Sequence, residues 1–256
     1  MIINIVGGSG IMGGVHQPIF EKAGHKVILS GRNSSPSIEE ASKLADLTIV
    51  TVPIPYTLET IKKVAPLCKA LVDFTGVKTA PIKAMLEFSQ PACEVMGLHP
   101  LYGQVESVAG RTVVYCPTER TGDKCKALLE VFENEGAIIK AMEPPEHDRF
   151  MDVIQNQRVE MLKEYVTELI KKGLTIKEAY RLAPPHTKIL LDLIARQVSI
   201  DNQGLYEAMR DFNEFGDCKK NIKKETLTPE EIREFFGEEL EPAQQRARKY
   251  VQLSKE

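Results

Sequence analysis

Apolar residues fall along the first part of the chain in short, near-continuous runs: Ile2 to Val6, Lys26 to Leu29, Leu47 to Val52 and Ala70 to Phe74. Such runs, lacking a polar alternation, suit parallel strands covered on both faces. Glu94 to Leu98, Arg111 to Cys116 and Ala137 to Lys140 are further candidate strands, and segments near residues 11–23, 57–67 and 122–135 have helical character. Strands alternating with helices predict a doubly wound α/β domain. Beyond Glu143-Pro144-Pro145 the strand signals fade, and apolar residues recur at spacings of three and four from Asp148 to Lys171 and from Thr187 to Val198. That spacing predicts an all-helical domain. The expected division is therefore 1–143 and 144–256, placed at the proline pair because consecutive prolines break an element and favour an extended connection. The charged tail from Lys219 still carries Ile232, Phe235, Phe236 and Val251, a pattern of amphipathic surface helices.

Two helical segments break their own apolar pattern. The stripe Phe150, Ile154, Met161, Tyr165 and Leu169 is interrupted by Gln155-Asn156-Gln157-Arg158. Four consecutive residues cover a full turn, so Gln157 or Arg158 is expected on the buried face, where it either lines a cleft or marks a solvated turn. Between Thr187 and Val198, Lys188, Asp192 and Arg196 lie four apart on an otherwise apolar helix. That stripe either meets solvent or faces a polar cavity, where two cations would suit a dicarboxylate.

Gly8-Ser9-Gly10-Ile11-Met12-Gly13 follows the first strand directly and opens a helical stretch. In that context the glycines allow a tight turn, close approach of backbone to a pyrophosphate and close helix–strand packing, with helix amides aimed at the phosphates. A dinucleotide is the expected ligand. An NAD site places a carboxylate at the end of the second strand, but Ser30 stands there, followed by Arg32, Ser34 and Ser35. Arg32 could pair with a 2′-phosphate, so NADP is the expected preference, with NAD possible.

His99 closes another candidate strand, and open α/β sheets gather ligands at strand carboxyl ends. A neutral imidazole there can take a proton from a hydroxyl as hydride leaves the same carbon. On position alone, a loop histidine followed by proline that only bonds backbone is the commoner case.

Composition narrows the field. At 256 residues, two units are the default. No apolar run approaches the roughly 18 residues that span a bilayer, and the start shows no secretory pattern; a cytoplasmic protein is expected. Cys68, Cys93, Cys116, Cys125 and Cys218 are scattered without a C-x-x-C pair, which suggests reduced packing residues and no metal site. A net charge of -3 argues against nucleic acid, leaving a small molecule as the expected partner.

Together these pieces resemble the prephenate/arogenate dehydrogenase family. The resemblance runs from Gly7-Gly8-Ser9-Gly10-Ile11-Met12-Gly13 through Val52-Pro53-Ile54, Leu71-Val72-Asp73, Val77-Lys78, Gly97-Leu98-His99-Pro100-Leu101-Tyr102-Gly103 and Glu146-His147-Asp148 to Phe235-Phe236-Gly237. It implies an N-terminal Rossmann-type NAD(P) domain with Val52 and Pro53 at the cofactor, then a helical dimerisation domain, with the active site between them in a homodimer. His99 matches the histidine that removes the ring hydroxyl proton as hydride passes to the nicotinamide, before decarboxylation yields the aromatic ring of a tyrosine precursor. Arg196 matches the arginine that holds the ring carboxylate, and Lys188 falls where some members carry another arginine. Such dehydrogenases are sometimes fused to chorismate mutase or prephenate dehydratase.

Two departures stand out. Gly76 replaces a serine usual just before Val77-Lys78, and Val159 replaces a histidine linked to side-chain recognition. Thr75, Gln155 and Gln157 are the candidate substitutes. Two other readings fit part of the chain: a deazaflavin-linked NADP oxidoreductase, which does not explain His99 with Arg196, and a non-catalytic NADP-binding regulatory module.

Overall fold

A computed structural model of the chain describes residues 1–200, Met209 and 228–253. It contains two compact units, one spanning Met1–Phe150 and the other beginning at Met151.

The first unit is built on seven strands, β1 (Ile2–Val6), β2 (Lys26–Ser30), β3 (Leu47–Val50), β4 (Ala70–Asp73), β5 (Glu94–Pro100), β6 (Thr112–Cys116) and β7 (Ile138–Ala141), in the order β2-β1-β3-β4-β5-β6-β7. Every strand expected from the apolar runs is present. The first five are mutually parallel, β6 runs antiparallel to β5, and β7 returns parallel to β6. The reversal follows from the connection: residues 101–111 join β5 to β6 without a crossover helix, and parallel neighbours need one. Strands β3 and β4 are buried along their whole length, whereas the edge strands β2 and β7 keep exposed positions. Alternate residues of each strand feed opposite layers. Ala70 and Val72 pack with Ile3, Phe20 and Phe132 on one face, and Leu71 packs with Ile61, Met85 and Val95 on the other.

Helices of this unit are α1 (Ile11–Lys22), α2 (Ile38–Leu44), α3 (Ile54–Val64), α4 (Thr79–Phe88), α5 (Asp123–Asn134) and α6 (Pro144–Met151). The sequence reading located α1, α3 and α5 and passed over α2 and α4. A local start signal for α2 exists: Ser37 Oγ accepts from the Glu40 amide at 3.2 Å, and the Glu40 carboxylate accepts from the Ser37 amide at 2.9 Å. The proline pair behaves differently from the expectation. Pro144 and Pro145 open α6 instead of forming an extended linker, because a first-turn proline has no amide to leave unpaired and a φ already suited to the helix.

In the second unit a π-helical turn (Asp152–Gln157) precedes α7 (Arg158–Lys171), α8 (Ile176–Leu182), α9 (Pro185–Ile200), α10 (Pro229–Phe236) and α11 (Leu240–Leu253). Its core joins Leu162 and Val166 of α7 to Leu191 and Ile194 of α9, Ile232 and Phe236 of α10 and Ala243 of α11. Capping boxes at Thr175 with Glu178 and Thr228 with Glu231 start α8 and α10. The expected apolar stripe is corrected here. Phe150, Ile154 and Met161 are exposed, and the buried positions are Asp152, Asn156, Val159, Leu162 and Val166. A π turn holds more residues than an α turn, so the 3.6-residue count loses register on crossing it. Gln157 and Arg158 accordingly lie exposed, not on the buried face. No described helix is long and apolar enough to cross a membrane. Cys68, Cys93, Cys116 and Cys125 are buried and free, while Cys218 lies outside the described residues.

Candidate active site

The carboxyl ends of β1, β2 and β3 converge on the glycine turn. Gly7, one position before the G-x-G-x-x-G motif, supplies the left-handed residue, with φ 87°. A Cβ there would lie 3.1 Å from the Val52 amide nitrogen, so the turn sits directly against the end of β3. Gly8 has no room for a side chain, because its Cβ would meet Leu29 of β2 at 2.7 Å. At Gly13 a Cβ would fall 2.0 Å from the Gly8 carbonyl oxygen, which is the close helix–turn packing expected of the third glycine. Gly10 caps α1 without a side chain, the first turn of α1 has no acidic residue, and Ser9, Gly10 and Ile11 are exposed. The α1 amides and the positive end of its dipole therefore face open space, the arrangement a pyrophosphate needs.

Beyond β2 the expected nucleotide-selecting residues divide. Ser30 is buried, and its hydroxyl donates to Asn4 Oδ1 at 2.8 Å inside the sheet, while its carbonyl accepts from the Gly7 and Gly8 amides. Arg32 is exposed, with its guanidinium 6.0 Å from the ring centre of Tyr56 on α3. Ser34 is tied into its own loop by the Gly31 amide and the Pro36 carbonyl. Val52 is half-buried beside the turn, and Pro53 is exposed at the start of α3. The structure thus gathers Gly8, Gly10, Gly13, Arg32, Val52 and Pro53 around one edge and directs Ser30 inward.

His99 is the next-to-last residue of β5, on the same carboxyl edge as the glycine turn because β1 and β5 point the same way. Its Nδ1 lies 2.9 Å from His147 Nε2, and His147 Nδ1 lies 2.9 Å from Asp148 Oδ1. Asp148 in turn accepts from the Lys78 amide at 2.7 Å and the Thr79 amide at 2.9 Å, the two amides that begin α4. Helix α4 has no cap from its own N-cap side chain; a carboxylate from α6 takes that place. Burial alone would raise the Asp148 pKa, but the hydrogen bonds from His147, Thr79 and Lys78 outweigh it and hold the carboxyl below its usual range. Burial lowers the pKa of His147, against the pull of Asp148. His99 is held well below the ordinary histidine value by burial first, then by His147 and Lys78. Burial thus favours the neutral imidazole, in which one ring nitrogen keeps a lone pair.

Beneath this chain lies a fully buried ion pair. The Lys78 ammonium bonds Asp73 and donates to the Leu98 carbonyl at 3.0 Å, next to His99. Thr75, expected to stand in for the serine absent at Gly76, has its hydroxyl between Asp73 and the Val77 carbonyl and is itself buried. Burial pushes the Asp73 pKa up, and Lys78 and Thr75 offset part of that rise. His147, Asp148, Asp73 and Lys78 were not singled out as site residues from sequence. They stood in the motifs that carry the resemblance, but the contact of His99 with a residue 48 positions away leaves no local signal.

The remaining candidates belong to the helical unit. Lys188 is exposed and Arg196 half-buried on α9. Asp192 between them is buried, accepting from Tyr180 Oη at 2.6 Å and from Arg246 Nε at 3.1 Å. The charged stripe is thus broken at its centre by a pair with α11. Gln157 donates to Asp152 at 3.3 Å, and Gln155 is half-buried. Val159, where the resembled family has histidine, is packed in the interior.

The chain is similar to several known proteins. A "Probable arogenate/prephenate dehydrogenase" of Methanocaldococcus jannaschii is 28% identical over 233 residues, covering 83% of this chain and 52% of the relative. The T-protein of Haemophilus influenzae is 32% identical over 216 residues, covering 83% of this chain and 56% of its own length. The chain therefore spans about half the length of the curated relatives it matches. In fold it is similar to the crystal structure of prephenate dehydrogenase from Aquifex aeolicus, with a TM-score of 0.58 over 99% of this chain and 97% of that one at 18% identity. Residues 8–141 match the model of the prephenate dehydrogenase nucleotide-binding domain. That match covers more than half of the sequence and includes both the glycine turn and His99, and the chain belongs to the prephenate dehydrogenase family.

Proposed function

We propose that the protein oxidises prephenate or arogenate with NAD(P), releasing CO2 and forming the aromatic ring of a tyrosine precursor. The observation that carries this reading is the sharing of one sheet edge by an open, acid-free α1 N-terminus and a buried His99 hydrogen-bonded to His147. Gly8, Gly10 and Gly13 with the α1 amides would hold the pyrophosphate, and the bound nicotinamide supplies the hydride acceptor. His99 receives the hydroxyl proton as hydride leaves the same carbon. The electrons of the breaking C–CO2 bond then enter the ring, and His99 returns its proton to the phenolate oxygen. Arg196 is assigned to the ring carboxylate, with Lys188, Gln155 and Gln157 as further candidates for the substrate's polar groups.

Cofactor selection is assigned to Arg32, the exposed cation after β2 where an acid would favour NAD. NADP is the proposed preference. A homodimer is proposed from the exposed Phe150, Val153, Ile154 and Met161, an apolar set of the kind that an interface covers. The chain's length relative to its relatives also accommodates a chorismate mutase or prephenate dehydratase module elsewhere in a longer product. A reducing cytoplasm is proposed as its compartment; burial pushes the Cys68, Cys116 and Cys125 thiols up to about 12, leaving them unreactive packing groups. The test is formation of NADPH or NADH when prephenate or arogenate is added to the purified protein. Absence of both with either substrate overturns the assignment.

A further inference from the structure

We infer that His147 and Asp148 are positioning residues that decide which ring nitrogen of His99 carries the proton, leaving His99 Nε2 as the basic nitrogen. The inference rests on the dehydrogenase reading for its catalytic meaning, but its structural content stands on hydrogen-bond accounting. An ionised carboxylate can only accept. Asp148 already accepts from the Lys78 and Thr79 amides, so the third bond, 2.9 Å from His147 Nδ1, must be donated by that nitrogen. A neutral imidazole has one N–H. With it on Nδ1, His147 Nε2 holds a lone pair and must accept from His99 Nδ1, 2.9 Å away. The proton of neutral His99 is then fixed on Nδ1, and Nε2 is left bare.

Nε2 makes no hydrogen bond to any described residue, and it is the nitrogen that can receive a substrate proton. His147 is 0% exposed, Asp148 1% and His99 7%, so water is poorly placed to supply an alternative partner that would release the tautomer. Once His99 is protonated, its Nδ1–H points at His147, whose own N–H points at the Asp148 carboxylate. The new positive charge is therefore met by an oriented dipole and, behind it, a fixed negative charge. A purely structural role for Asp148, as the cap of α4, would require neither histidine to adopt a particular tautomer.

The decisive measurement is long-range 1H–15N correlation of the ring nitrogens in the histidine-labelled full chain, with His99 assigned by comparison with His99→Asn. The expected wild-type pattern is a protonated Nδ1 and an unprotonated Nε2 on His99. His147→Leu removes the acceptor and should move His99 toward the Nε2–H form, lowering kcat at least about tenfold, as loss of orienting partners does elsewhere, with KM nearly unchanged. His147→Gln keeps an acceptor oxygen for Nδ1–H and should retain the wild-type tautomer and lose less kcat than the leucine variant. A wild-type His99 protonated on Nε2, or a His147→Leu protein with unchanged tautomer and kcat, overturns the inference. If His147→Leu does not fold, the wild-type pattern and His147→Gln still decide it. Wild-type protein that oxidises neither prephenate nor arogenate sinks the functional reading instead, and the ring-nitrogen signals report the tautomer regardless.

Discussion

His16 Nε2 lies 3.0 Å from the Tyr102 hydroxyl, joining the helix behind the glycine turn to the loop that leaves the strand of His99. The bond has a fixed sense. His16 Nδ1 donates to the Met12 carbonyl at 2.7 Å, so Nε2 must accept from Tyr102. The ring is also packed among Phe20, Phe74 and Phe132. A cation has no place there, and burial lowers the His16 pKa to about 4, partly countered by the Met12 carbonyl.

That shift makes His16 a source of acid sensitivity. Between the ordinary value of 6.5 and about 4, the unfolded chain binds a proton at this site that the folded chain refuses, so stability is present above 6.5 and falls as pH drops. The contribution reaches about 3 kcal/mol at its largest. His16→Gln should be less stable than wild type at neutral pH, with the gap closing as the pH is lowered toward 4. Urea midpoints measured across this range test it, and parallel profiles would contradict it.

His99 and Arg196 should fail in different ways. His99→Asn is expected to lower kcat by roughly 100- to 10,000-fold, the range for loss of a general base, with little change in substrate affinity. Arg196→Gln should chiefly raise KM, because a lost charge-assisted pair weakens ground and transition states together. Steady-state kinetics with a deuterated substrate separates the two. Near-normal kcat in His99→Asn, with hydride transfer shown to limit the rate, would remove His99 from the chemistry.

Arg32→Ala should raise the KM for NADP and leave that for NAD nearly unchanged, since a 2′-phosphate is the group that an exposed guanidinium at this position can pair with. Equal constants for the two cofactors in the wild type, or an unaltered ratio in the variant, would rule out the assignment.

Gly13→Ala and Gly10→Ala separate packing from approach. A methyl at Gly13 meets the Gly8 carbonyl oxygen at 2.0 Å, and both partners are backbone, so the helix must shift. At Gly10 the nearest atom is the Gly7 carbonyl oxygen at 3.2 Å, a contact that small adjustments relieve. Gly13→Ala should cost more than about 1 kcal/mol of stability and most cofactor affinity, while Gly10→Ala should stay near wild type in thermal melting. Similar melting temperatures for both would show that the predicted clash is absorbed.

Much of the sheet was legible because its strands are covered on both faces, which makes runs such as Leu47 to Val50 nearly all apolar, with only Thr48 polar. The glycine turn was legible because close approaches at Gly8 and Gly13 exclude a side chain, although the left-handed residue proved to be Gly7, outside the motif. Helix α4 was hidden for a physical reason: its N-terminal partner is Asp148, not a neighbouring residue, so no capping signal stands at Lys78. The stripe from Phe150 to Met161 misled because a π turn changes the count of residues per turn without any distinctive composition. His99 was found by its place at a strand end. His147 and Asp148 stood in the Glu146-His147-Asp148 motif that carries the family resemblance, but their contact with His99 and α4 depends on a fold-level juxtaposition.

The same juxtaposition sets a boundary for the unit that is not the boundary of its sheet. A chain shortened after Ala141 would retain every strand and the whole glycine turn, yet it would lack the carboxylate that starts α4 and the imidazole that orients His99. During synthesis, likewise, the nucleotide edge can assemble from the first strands, while the proton-accepting centre must wait for residues 147 and 148 to emerge and return to the sheet. A fragment ending at β7 should therefore be a binder of dinucleotides with an unset histidine, capacity for the cofactor having been separated from capacity for the reaction.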